Sequence, residues 1–101
     1  MAVKLSYPPE KLSALCRHWQ VDELAIFGSV ARGEMRPESD VDILVTFDDR
    51  ASWSLLDLMG FKEELEQIFG RPVDLLEQRA IRNPHRRAAI LRDKHVLHAE
   101  R

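Results

Sequence analysis

The sequence predicts a small mixed α/β (α+β) domain, a sheet flanked by helices, with residues 1–101 forming one unit. Three observations carry that expectation. Short apolar runs, Leu24-Ala25-Ile26-Phe27, Ile43-Leu44-Val45 and Val73-Asp74-Leu75-Leu76, recur between longer stretches with helical spacing. Gly, Pro, Asn or Ser marks most of the transitions. The length, 101 residues, falls at the common size of one domain, roughly 100 to 150 residues.

The elements follow in order. Pro8-Pro9 precedes a first helix over 9–19, in which Leu12, Leu15, Cys16 and Trp19 form one apolar stripe. A strand is expected at 22–27. Gly28 then permits a tight strand-to-helix turn, because it has no Cβ to obstruct the backbone or crowd a ligand. A short helix over 29–33 ends at Gly33, and the polar link 34–39 leads into a second strand at 41–47. The longest helix is expected over 55–69. Ser54 is its N-cap, with Asp57 at the third helical position, and Leu58, Phe61, Leu65 and Ile68 recur three and four apart. Gly70 closes this helix and Pro72 prevents its continuation. A strand at 73–77 follows. Asn83-Pro84 is a cap with proline at the first helical position, and it starts a helix to residue 92 that carries Ala88, Ile90 and Leu91. A last strand covers 95–98. The order of strands in the sheet does not follow from this pattern.

Composition narrows the function. Fifteen basic and seventeen acidic side chains give a net charge of −2, which argues against broad nucleic-acid binding, since that needs a basic footprint. Charge is nevertheless uneven: residues 79–101 carry seven Lys/Arg, three His and only two acids. A solvated face, a protein partner and nucleic acid are all open for that segment, in decreasing order of expectation. Nothing resembles a signal peptide, since the run Lys4-Leu5-Ser6-Tyr7-Pro8-Pro9 has no apolar core. No stretch approaches the ~20 apolar residues of a membrane span, so a cytoplasmic protein is expected. The single cysteine, Cys16, cannot form an internal disulfide and is expected as a small buried hydrophobe.

The chemistry lies in two short motifs. Gly28-Ser29 closes one apolar run; after ten residues, Asp40-Val41-Asp42 opens the next. Alternation along a strand sends Asp40 and Asp42 to one side and Val41, Ile43 and Val45 to the other. Asp74, between Val73 and Leu75, also points away from its apolar neighbours. Three carboxylates at one sheet edge repel one another unless a cation is bound, and hard oxygen ligands suit Mg²⁺ when substrate phosphates complete its shell. A turn with backbone donors and a Ser hydroxyl can hold phosphates. Taken alone, Asp-x-Asp is commonly surface polarity and Gly-Ser is commonly a turn, so only the combination points to nucleotide chemistry. The four histidines lack metal-ligand spacing and are expected to be structural or solvated. Trp19 is expected in the core; Trp53 packs locally or meets a partner.

The string Gly28-Ser29-Val30-Ala31-Arg32-Gly33-Glu34 through Ser39-Asp40-Val41-Asp42-Ile43-Leu44-Val45 resembles the minimal nucleotidyltransferase branch of the DNA polymerase beta-like nucleotidyltransferase superfamily. Arg71-Pro72-Val73-Asp74-Leu75 resembles that branch's third-carboxylate strand. The resemblance covers residues 10–98 and implies the polymerase beta-like nucleotidyltransferase fold. It implies transfer of AMP from ATP onto a tyrosine of a cognate HEPN-domain ribonuclease toxin, with this chain as antitoxin in a hetero-oligomer. Asp40, Asp42 and Asp74 would be the catalytic and Mg²⁺-binding carboxylates, Asp74 also orienting or deprotonating the tyrosine hydroxyl. Gly28 and Ser29 would hold the terminal phosphates. Arg32 either faces the phosphates or is solvated or paired structurally, and Arg36 is a weaker phosphate candidate. Glu34 stands where aspartate is frequent and keeps its charge. Two other readings stay open: a stoichiometric inhibitor that neutralises the toxin without catalysis, and a polyphosphate-processing or ATP-sensing module.

Overall fold

The computed structural model describes residues 5–34, 36 and 38–100. Met35 and Pro37 of the polar link, and Lys4 of the N-terminal run, lie outside the described residues. The elements are α1 (Pro9–His18), β1 (Val21–Phe27), α2 (Gly28–Ala31), β2 (Val41–Phe47), α3 (Leu55–Phe69), β3 (Val73–Glu77), a 3-10 turn (Gln78–Ala80), α4 (Pro84–Asp93) and β4 (His95–Ala99). The expected order of helices and strands is therefore observed. The short second helix differs in register: it starts at Gly28 itself and ends at Ala31, with Arg32 and Gly33 completing the turn.

The four strands pair in the order β3-β2-β1-β4. β1 runs antiparallel to both β2 and β4, whereas β2 and β3 are parallel. Parallel neighbours need a long crossover, and α3 supplies it. Its ends are set by local chemistry. The Ser54 hydroxyl accepts from the Asp57 N–H at 3.1 Å while the Asp57 carboxylate accepts from the Ser54 N–H at 2.9 Å. At the other end Gly70 adopts φ +67° and donates its N–H to Glu66 C=O, a left-handed cap that side-chain-bearing residues rarely adopt.

Alternation along the strands builds two apolar layers. On one face Leu24, Ile26, Val41, Ile43, Val45 and Val73 meet α1 and α3 through Leu12, Leu15, Cys16, Phe61, Leu65 and Phe69. On the other, a smaller cluster joins Ala25 and Leu44 to Ile81 and to Ile90 of α4. Cys16 is fully buried, as expected. Ala88 is exposed instead of packed; the buried side of α4 runs through Ile90, with Ala89 and Leu91 half-buried. Trp19 and Trp53 stack edge-on at 4.8 Å, and the Trp53 indole N–H donates to the Trp19 C=O at 3.0 Å, so Trp53 packs locally. The first turns of α3 leave Leu55, Leu56 and Met59 exposed. They lie at the opposite end of that helix from β3.

Phe61 is completely buried and its ring lies 5.4 Å from those of both Trp19 and Phe47. Phe61→Ala should lower the unfolding free energy by about 3–5 kcal/mol through lost burial and a residual cavity, read as a lower urea midpoint with unchanged m-value.

Candidate functional site

The site forms where β1 ends and β2 and β3 begin. Antiparallel pairing sets Phe27 opposite Asp42, and parallel pairing sets Asp42 opposite Asp74. Phe27, Asp42 and Asp74 thus make one row across three strands, on the face that carries the smaller apolar cluster. Neighbouring strands lie about 4.8 Å apart, so the two carboxylates are close by construction. Asp40 precedes β2 and is exposed; Asp74 is also exposed, while Asp42 is half-buried.

Gly28 is held in this arrangement for a steric reason. Its φ is +72°, and a Cβ there would lie 2.2 Å from Asp42 Oδ2. The carboxylate occupies the space where any side chain at 28 would go. Ser29 follows, half-buried, and its C=O accepts from Glu34 N–H at 2.8 Å, which folds the chain back after α2. Among the described residues its hydroxyl carries no hydrogen bond.

Burial raises the Asp42 carboxyl above its ordinary value of 3.8; the charges of Asp74 and then Asp40 raise it further, and the Arg32 guanidinium opposes them. Asp74, Asp40 and Arg32 therefore all act on Asp42. Arg32 is engaged in two weak ways, Nε to Glu34 Oε1 at 3.3 Å and a second guanidinium nitrogen to Asp93 Oδ2 at 3.9 Å. Exposed pairs of this kind contribute about 0–1 kcal/mol, so little holds Arg32 back from a phosphate. Arg36 lies in the turn before Asp40, its side chain exposed.

Among the described residues no three His, Cys, Asp or Glu side chains already form a group that could hold a metal ion. The donor set still fits Mg²⁺, which is commonly held by one or two carboxylates plus substrate phosphates instead of an all-protein cage. The mutual repulsion felt at Asp42 is what a cation would relieve.

One neighbour was missing from the sequence reading. A cleft of about 250 Å³ beside Gly28 is lined by Arg32, Arg86, Phe27, Ala89 and Asp93, so α4 adds a second guanidinium next to the Gly-Ser turn. The unusual basic content of residues 79–101 was the only signal for it. A larger hollow of about 670 Å³ lies between α1 and α3, lined by Lys11, Glu64 and Ile68 among others. It belongs to the opposite face of the sheet from the carboxylate row.

The family described as the nucleotidyltransferase domain matches residues 9–97, from the start of α1 into β4 and including the whole carboxylate row. The chain belongs to that family. This nucleotidyltransferase is 41% identical over 75 residues to a candidate protein adenylyltransferase of Methanocaldococcus jannaschii, covering 74% of this chain and 75% of that one. A solved structure of a candidate minimal nucleotidyltransferase superposes with a TM-score of 0.71 and 37% identity, covering 86% of each chain. A toxin–antitoxin crystal structure with AMP-PNP has the same fold, with a TM-score of 0.73 at 20% identity over 91% of this chain and 73% of that chain. The polymerase beta-like nucleotidyltransferase fold expected from the sequence is thus the one observed.

Two outcomes follow. Gly28→Ala should displace the Asp42 carboxylate and adopt a strained backbone, costing at least about 1 kcal/mol of stability, measured by denaturant unfolding. Asp42→Asn should raise the thermal midpoint at neutral pH. A carboxyl whose folded pKa is raised binds its proton more tightly in the folded state, so stability falls as pH rises above 3.8. The advantage of the asparagine should therefore shrink as pH is lowered towards that value, in melts recorded across the acid range.

Proposed function

We propose that this nucleotidyltransferase moves AMP from ATP onto a tyrosine hydroxyl of a cognate helical HEPN-domain ribonuclease toxin and so silences it. The observation that carries the reading is the Asp42 carboxylate lying against Gly28, with Asp74 in the next strand and Asp40 alongside. That contact joins a phosphate-holding turn to a carboxylate set within one small region. The protein adenylyltransferase relative and the toxin–antitoxin fold neighbour support the choice of acceptor and partner.

Each residue then has a role. Gly28 and Ser29 hold the β and γ phosphates through backbone N–H groups and the free hydroxyl. Asp40 and Asp42 would hold Mg²⁺, with Asp74 as the third carboxylate; when bound, the ion neutralises charge on the phosphate oxygens. Asp74, exposed on the strand at the sheet edge, orients the tyrosine hydroxyl and accepts its proton. The hydroxyl oxygen attacks the α-phosphorus in line, a new P–O bond forms, the α–β bridging P–O bond breaks, and pyrophosphate leaves. Arg32 turns from Glu34 and Asp93 to the departing phosphates. Because Asp74 faces outward from an edge strand, a protein-sized acceptor can approach without a substrate-gripping domain.

The setting we propose is cytoplasmic, where ATP and such a partner would meet; among the described residues no helix is long and apolar enough to cross a membrane. The partnership is with protein in a hetero-oligomer, direct nucleic-acid binding being disfavoured by the net charge of −2.

A second reading, a non-catalytic inhibitor that neutralises the toxin by complex formation, draws on the solved toxin–antitoxin structure with the same fold. The two separate cleanly. With the cognate toxin, ATP and Mg²⁺, intact-mass measurement should show the toxin heavier by whole AMP residues, and Asp42→Ala should abolish the gain. An unmodified toxin that is still bound and still neutralised by the Asp40→Ala/Asp42→Ala chain would overturn the catalytic reading in favour of the inhibitor.

A further inference from the structure

The geometry points to Arg71 as the positioning residue that holds Asp40 in register with Asp74. This inference rests on the metal-assisted transfer proposed above. One guanidinium nitrogen of Arg71 donates to two backbone carbonyls, Arg36 C=O at 2.8 Å and Ser39 C=O at 3.2 Å. Those carbonyls stand at the two ends of one turn. The turn is closed from within, Ser39 N–H donating to Arg36 C=O at 3.0 Å and Arg36 N–H to Ser39 Oγ at 2.8 Å. Ser39 is the residue immediately before Asp40.

Asp40 needs such a hold because the sheet does not provide one. β2 begins at Val41, whose N–H donates to Pro72 C=O at 2.9 Å, so Asp40 lies one residue outside the ladder and is exposed. Arg71 sits on the other side of that junction. It directly precedes Pro72, and Val73 N–H is fixed in turn by the Glu66 carboxylate of α3 at 2.9 Å. The start of β3, and with it Asp74, is therefore anchored to α3, and Arg71 reaches from this anchored point across to the turn before Asp40. A guanidinium suits the task. It presents several donors in a planar fork, whereas an ammonium would meet the two carbonyls as a point charge on a flexible stem. Arg71 acts through Asp40 and touches no reacting atom.

The full chain is titrated with the Mn²⁺ complex of a non-hydrolysable ATP analogue, bound metal being read from paramagnetic relaxation of water, so that no turnover is needed. Arg71→Ala should weaken binding about tenfold, as loss of an outer partner of a metal ligand commonly does. Arg71→Lys should restore part of it. Ser39→Ala, which breaks the same turn from inside without touching Arg71, should weaken binding in the same direction. In the metal-free protein the Ser39 and Val41 amides, hydrogen-bonded to Arg36 C=O and Pro72 C=O, should exchange faster in all three variants, while core amides keep their protection. If Arg71→Ala does not fold, Arg71→Lys and Ser39→Ala decide. Unchanged Mn²⁺ affinity in the folded variants, with the unsubstituted chain binding normally, overturns the role of Arg71. Failure of the unsubstituted chain to bind overturns the nucleotide–metal reading itself.

Discussion

The pairing of β1 with β2 is the constraint from which the site follows. Their antiparallel register places Phe27 opposite Asp42, so the residue after Phe27 must pass beneath the Asp42 carboxylate. Only a glycine leaves room for that oxygen. The same ladder, continued into β3 by parallel pairing, brings a second acid beside the first. Backbone hydrogen bonds, which are indifferent to charge, thus hold together side chains that repel each other.

That repulsion has to be carried by the rest of the molecule. The layer between the sheet and α1/α3 is densely apolar, with Leu24, Ile26, Val41, Ile43, Val45, Phe61 and Leu65 almost or wholly removed from water. The layer beneath the carboxylates is thinner, built on buried Ala25, Leu44, Ile81 and Ile90. The densely packed face and the face that bears the carboxylates are opposite sides of one sheet. A carboxylate row built this way holds a destabilised carboxyl at a position the core can tolerate.

Much of this was readable from the chain because much of it is local. Both ends of α3 are written in neighbouring residues, Ser54 with Asp57 at one and Gly70 with Pro72 at the other, and the structure follows them. The apolar alternation in residues 41–47 named the buried face of β2 correctly and, with it, the side to which Asp42 points. What could not be read depends on contacts between distant segments. The juxtaposition of Asp42 with Asp74 arises from a parallel pairing across the α3 crossover, and the pairing of Arg32 with Asp93 from the packing of α2 near α4. Arg71 gave no sign of its bonds to Arg36 C=O and Ser39 C=O, because main-chain acceptors leave no trace in side-chain identity. In α4 only Ala88 departs from expectation: with few apolar residues to set the stripe, Ala88 and Ala89 are equivalent in sequence, and the docking of Ile90 on Ala25 and Leu44 distinguishes them.

The Trp19–Trp53 stack has a spectroscopic side. These are the only two tryptophans in the chain, and they share one contact near the start of β1, whereas the carboxylates gather at its far end. A seven-residue strand separates the two regions by on the order of 20 Å. Intrinsic fluorescence of this protein is therefore an optical gauge of the α1–α3 layer alone. It will register the parting of that layer from the sheet while remaining almost blind to what occupies the carboxylate edge.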